Sequence, residues 1–191
     1  MGEKSKQKRV AWPGLLKRIK HHKGWQKSVP SDDRLQHFGG LVGIYLPATY
    51  RQFTKRLGAG QLSGWCEFYP CAAGVSERWD MYLWNQSYLR LVLEGDQMAD
   101  QRARRLVIFG RLWSGDEYGW DTAEVTRKRK QPEEYAIYTV SRLLDRTTKI
   151  ADTFPEFVAD FCTGDGLLSY AGLGREGEPF EYDRYDYAPR G

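Results

Sequence analysis

Histidine and cysteine are each present only three times among the 191 residues, and neither set has the spacing that chemistry would need. Cys66, Cys71 and Cys162 cannot all pair, and no two form a Cys-x-x-Cys. They are expected to be reduced, buried thiols and not a redox or zinc site. His21 and His22 sit among lysines that repel a cation, and His37 has no ligand partner at zinc-site spacing. Neither a Gly-x-Ser-x-Gly elbow nor a Cys–His pattern is present. Gly172-Leu173-Gly174-Arg175-Glu176-Gly177 is a literal Gly-x-Gly-x-x-Gly, but Glu178-Pro179-Phe180 follows it where a dinucleotide site requires a helix. Long apolar runs are missing too. Nothing approaches the roughly 18 to 20 residues of a membrane span, and no signal-type stretch follows the basic start. The expectations are no catalytic residues, no metal, no cofactor, no membrane contact and a cytoplasmic location.

What the chain does contain is a core. Hydrophobic residues make up 41% and aromatics 14%, with seven Trp and twelve Tyr, enough for one domain of common size. The formal charge of +4 is unevenly spread. The first thirty residues hold nine Lys and Arg against Glu3 alone, or +8, which leaves −4 for the rest. Three regions are expected: a basic arm over 1–30, an α+β domain over 31–163, and a Gly-, Tyr- and acid-rich tail over 164–191. The arm's lysines and arginines (Lys4, Lys6, Lys8, Arg9, Lys17, Arg18 and Lys20) carry an alternative nucleic-acid reading through phosphate neutralisation. A solubilising tail competes with it, since nothing later in the sequence continues the basic surface.

The domain's elements follow from spacing. Ser31 caps a short helix with Asp32 and Asp33 in its first turn, ended by Gly39-Gly40. Pro47 opens a second helix whose Tyr50, Phe53, Thr54 and Leu57 recur at three and four residues, with Gly58 as the stop. Trp65–Tyr69 reads as a strand. Met81, Trp84, Tyr88 and Leu91 favour a helix over 76–94, started at Ser76-Glu77, although Leu89-Arg90-Leu91-Val92-Leu93 alternates as a strand would, and Asp96 caps a further short helix through Arg104. Arg105–Arg111 reads as a central buried strand. It turns at Ser114-Gly115-Asp116 into a hairpin partner over Glu117–Asp121. A charged loop over Ala123–Glu133 and a strand over Tyr135–Val140 come next. Thr153 then caps a closing helix through Glu156, its buried stripe being Phe154, Phe157, Val158 and Phe161. Helices at both ends of an antiparallel block make an α+β fold with a central, mostly antiparallel sheet and helices packed around it.

The hairpin tip concentrates exposed-type chemistry. Asp116, Glu117 and Asp121 lie among Trp113, Tyr118 and Trp120, and this set is the candidate partner-contact surface. Turn geometry and a solvated edge compete for the carboxylates, and the core for the aromatics.

Three ordered segments carry a family resemblance: Leu46, Pro47, Tyr50 and Phe53; Leu106–Gly110 with Gly115 and Asp116; and Thr153, Phe154 and Phe157. Together they resemble the SUKH superfamily, which joins fungal cell-wall regulators to bacterial toxin-immunity proteins, over about residues 31–163. Thr153 stands where Ser is more usual, and Arg56-Leu57-Gly58-Ala59-Gly60 stands where an Asn-Gly-Gly turn is typical. The resemblance implies a SUKH-like α+β domain without a catalytic centre that works by binding proteins. An antidote to a toxin, often a nuclease, is the leading role it implies, and a regulatory or scaffold role is the alternative.

Overall fold

Strands β2 (Gly60–Leu62), β3 (Cys66–Phe68), β4 (Leu106–Leu112), β5 (Glu117–Lys128), β6 (Pro132–Val140) and β7 (Thr147–Ala151) follow one another across a single antiparallel meander. The computed structural model describes residues 11–21, 29–71, 80–94, 100–128, 132–171 and 181–183. Two short strands extend the sheet beyond β2. β8 (Glu181–Asp183) lies antiparallel to β2, and β1 (Lys20–His21) lies parallel to β8. The helices are α1 (Trp12–Arg18), α2 (Asp32–Val42), α3 (Ala48–Leu57), α4 (Met81–Glu94), α5 (Phe154–Glu156) and α6 (Gly166–Ala171), and π-helical turns over Phe157–Cys162 continue α5. The fold is α+β.

The core forms where the expected stripes meet. Tyr50, Phe53 and Leu57 of α3 are fully buried, as are Phe154 and Phe157. They close on Phe68, Phe109, Tyr118 and Trp120 of the sheet, with Phe109 and Trp120 stacked at 4.1 Å and Tyr50 edge-on to Trp120 at 4.8 Å. Thr153 Oγ1 accepts from Glu156 N at 3.3 Å, as the capping pattern predicts. The reciprocal half of the box is not made. Glu134 of β6 instead accepts from Phe154 N at 3.0 Å and from Thr49 Oγ1 at 2.6 Å, so one buried carboxylate serves the first turns of both α3 and α5. Burial raises its pKa.

Several expectations need correction. α2 runs through Gly39-Gly40 and ends at Gly43, where Ile44 N donates to Gly39 O at 2.9 Å. Asp80 starts α4, accepting from Tyr82 N and Leu83 N, whereas the expected start at Ser76-Glu77 and the Asp96 cap lie outside the described residues. Beyond Gly110, β3 no longer borders β4. Asn85 of α4 takes its place there, donating to Ile108 O and accepting from Ile108 N, both at 2.7–2.8 Å. The charged stretch over 123–133 is not a loop. Apart from residues 129–131, which are not described, it continues β5 and β6 as a ribbon past the reach of β4. Charged side chains suit such a ribbon because one of its faces meets water.

The expected borders at residues 30 and 163 do not bound the packed unit. Trp12, Leu15, Leu16 and Ile19 join the core, as does Leu167 of α6. Within the basic arm these four apolar residues share one face, which was enough to dock α1 on the domain.

Candidate protein interface

Three turns meet at one end of the meander. The β2–β3 turn uses Ser63 and Gly64, both at positive φ, and Gln61 Nε2 donates to Gly64 O at 2.7 Å. The β4–β5 turn closes with Leu112 N donating to Asp116 O at 2.7 Å, and Gly115 at φ +92° makes its left-handed step. The β6–β7 turn spans residues 141–146, with Ser141 N donating to Arg146 O at 2.9 Å.

These turns are tied to one another. Trp113 N donates to Trp65 O at 2.9 Å, and the two indoles meet edge to face at 5.6 Å. Asp116 joins three elements: its Oδ1 accepts from Arg142 N at 3.1 Å and its Oδ2 from Tyr170 OH of α6 at 2.8 Å. Two large apolar side chains project from this end, Trp113 at 73% exposure and Leu143 at 81%. Arg142, Asp145 and Arg146 are exposed around them. An exposed Trp held by its backbone and by a second Trp is pre-organised, so it can bury its ring on a partner at little entropic cost.

The six residues expected at the partner surface are divided by the pleat, which sends neighbours to opposite faces. Trp113 faces outward. Tyr118 and Trp120 are fully buried on the helix-covered face and cannot touch a partner. Tyr118 OH donates to Glu67 O at 2.6 Å, crossing Gly110, where a Cβ would lie 2.2 Å from that same oxygen and 2.5 Å from the tyrosine. Asp121 is also interior. It accepts from Arg105 Nε at 2.8 Å, Arg102 Nη1 at 3.0 Å and Ala123 N at 3.0 Å, so it anchors a structural ion cluster. That cluster continues through Glu124, which accepts from Tyr138 OH, Arg102 and Lys149 and is held down to a pKa of about 2 by those bonds.

Glu117 points to the same face as Asp121, and its Oε2 is buried without a hydrogen bond. Burial pushes its carboxyl up to about 7; the Trp84 indole N–H and the Arg111 charge oppose that rise. The Trp84 contact falls short of a full hydrogen bond, since Trp84 Nε1 is also buried and unbonded. It is a polar approach only, and burial dominates. Arg111 lies between two acids, in register with Glu117 on β5 and Glu67 on β3, and donates to Glu67 Oε2 at 2.6 Å.

Only Trp113 of the expected set is therefore free to meet a partner, while Asp116 is engaged at the rim. Trp65 and Leu143 were missed. Trp65 reads as part of a strand, and Leu143 stands beside Leu144 in an otherwise polar turn, with no sequence signal for which of the two leucines faces water. Of the expected nucleic-acid residues, Lys17, Arg18 and Lys20 are exposed, and Lys4, Lys6, Lys8 and Arg9 lie outside the described residues. Among the described residues no group of three or more His, Cys, Asp or Glu could hold a metal, and no helix is long and apolar enough to cross a membrane. All three cysteines are free and buried, and burial drives the Cys71 thiol up to about 12.

The family model of the SMI1 / KNR4 family (SUKH-1) matches residues 30–160. No curated protein and no solved structure matches the chain.

Proposed function

We propose a function for this chain from what it is: a member of the SMI1 / KNR4 family (SUKH-1). The chain is a non-enzymatic protein-binding module of the immunity type that captures and neutralises a toxin domain, a nuclease being the favoured class. The family includes immunity proteins, and a protein partner is what membership implies. The observation that carries the placement is the Trp65–Trp113 pair beside Leu143, two exposed apolar anchors on rigid turns with a charged rim. Charge supports the class of partner at long range only. Residues 31–191 sum to −4, which favours encounter with a basic nuclease, whereas the rim itself carries Arg142 and Arg146 against Asp145. Contact would thus be dominated by apolar burial, with charge acting on the approach.

Charge reversal at Asp116 or Asp121 would test folding, because both carboxylates are engaged internally. The informative variant is Trp113→Ala with Leu143→Ala. Titrated calorimetrically against a nuclease toxin domain that the parent binds, this variant should bind about 10- to 100-fold more weakly while melting like the parent. An unchanged affinity would move the interface elsewhere on the domain.

A further inference from the structure

The folded domain continues the basic N-terminal region, contrary to the sequence reading. α1 and α3 lie side by side and run the same way. Trp12 Nε1 donates to Gln52 Oε1 at 2.9 Å and, one turn further along both helices, Arg56 Nε donates to Leu16 O at 3.0 Å. Their last turns are consequently adjacent, and both are cationic: Lys17 and Arg18 close α1, Lys55 and Arg56 close α3. Helix C-termini favour cations, which stabilises this placement. Lys20 follows at the start of β1, and Arg51 lies one turn back on α3. All of these except Arg56 are exposed, and Arg56 is half-buried.

The opposing charge is small. Asp32 bonds Lys55 at 2.5 Å and Arg51 at 3.1 Å, and β8 sets Glu181 opposite Lys20 in register. Residues 1–57 carry thirteen Lys and Arg against three acids, +10, which leaves −6 for residues 58–191. Six of those cations, Lys17, Arg18, Lys20, Arg51, Lys55 and Arg56, lie on the described α1, β1 and α3.

Three polyanions could answer such a cluster: a membrane, a single strand or a duplex. A bilayer-binding helix must offer an apolar face to the acyl boundary, but Trp12, Leu15, Leu16 and Ile19 of α1 are already buried in the core. Single-strand binding relies on aromatic platforms, and the one aromatic residue of α1 is that buried Trp12. A duplex requires only cations facing phosphates, one charge per about 1.7 Å of its axis. Two helix ends joined by these bonds present their cations over a width that meets several phosphates at once.

We propose that the adjoining C-terminal turns of α1 and α3 form a binding face for the phosphate backbone of duplex nucleic acid, without base recognition. The face uses none of the residues assigned to the protein interface, so the two readings stand or fall separately.

The test is fluorescence anisotropy of the full chain with a labelled 20-base-pair duplex between 50 and 200 mM KCl. With about six phosphate contacts the wild type should weaken about 10³-fold across that range. Lys17→Gln, Arg18→Gln and Lys55→Gln combined should leave about a 40-fold change and weaker binding throughout. Lys17→Arg with Lys55→Arg should behave as wild type, which separates charge from any effect on folding. Four Gln replacements at Lys4, Lys6, Lys8 and Arg9, none of which belongs to this face, should leave the wild-type salt slope. No binding at 50 mM KCl would overturn the proposal. So would a triple variant with the wild-type slope, complete loss of binding in the arm variant, or binding to phosphatidylserine vesicles in place of duplex.

Discussion

Glu117→Gln should make the protein more stable at neutral pH and nearly unchanged at pH 4.5, because the native fold holds that carboxyl at a cost. The group has an ordinary value of 4.5 and is pushed up to about 7 in the fold, chiefly by burial. Between those two values the native state binds the proton more tightly than the unfolded chain. Wild-type stability therefore falls as pH rises through that interval and levels off above about 7. At about 1.4 kcal/mol per pH unit, the interval is worth about 3 kcal/mol, an upper figure since Arg111 can shift toward whichever acid is charged. Glu67 shares Arg111 and is also raised, again mainly by burial, so the Gln variant should keep a shallower fall of the same sign. Urea unfolding of both proteins from pH 4.5 to 8 measures the difference directly. The curves should separate with rising pH until the variant leads by up to about 3 kcal/mol. Parallel curves, or a wild type that gains on the variant toward pH 8, would refute the burial argument.

Three further substitutions test the packing around the interface. Gly110→Ala would place a Cβ 2.2 Å from the Glu67 carbonyl oxygen and 2.5 Å from Tyr118, so a loss of roughly 3 kcal/mol is expected in chemical unfolding. Asp121→Asn should cost about 2 kcal/mol, because Arg102 and Arg105 lose the charge they converge on; a melting temperature within a degree of wild type would contradict it. Glu134→Ala removes the shared acceptor of Thr49 and Phe154 and should cost about 2 kcal/mol, with earlier hydrogen exchange at Phe154 N–H.

The parts of the fold that could be read in advance were those whose signals are local. The α3 stripe of Tyr50, Phe53, Thr54 and Leu57 and the Thr153 cap each depend on residues a few positions apart, and both stand as expected. β7 was missed because Thr147–Ala151 is an edge strand with polar side chains and no alternation to display. The β5–β6 ribbon reads as a loop in sequence because the partners of its charges are remote, as where Glu124 meets Lys149 of β7 and Arg102 ahead of β4. The site was legible to the level of the hairpin and no further. Trp113, Tyr118 and Trp120 look alike in sequence, but Trp113 falls in the turn and faces water, whereas the register of β5 turns the other two rings inward. Glu67, Arg111 and Glu117 are brought into one row by two separate strand pairings, which no local pattern announces.

The pairing of β1 with β8 bears on how the chain matures during synthesis. Lys20 leaves the ribosome long before its strand partner, Glu181, so the meander from β2 to β7 can assemble hairpin by hairpin while that edge stays open. Until the C-terminal strand arrives, β2 has a bare flank, and α1 is held only by its contacts with α3 and the core. A nascent or truncated chain lacking residues 181–183 would thus present an unpaired strand edge to its neighbours, and the arrival of β8 acts as the last fastening of the sheet.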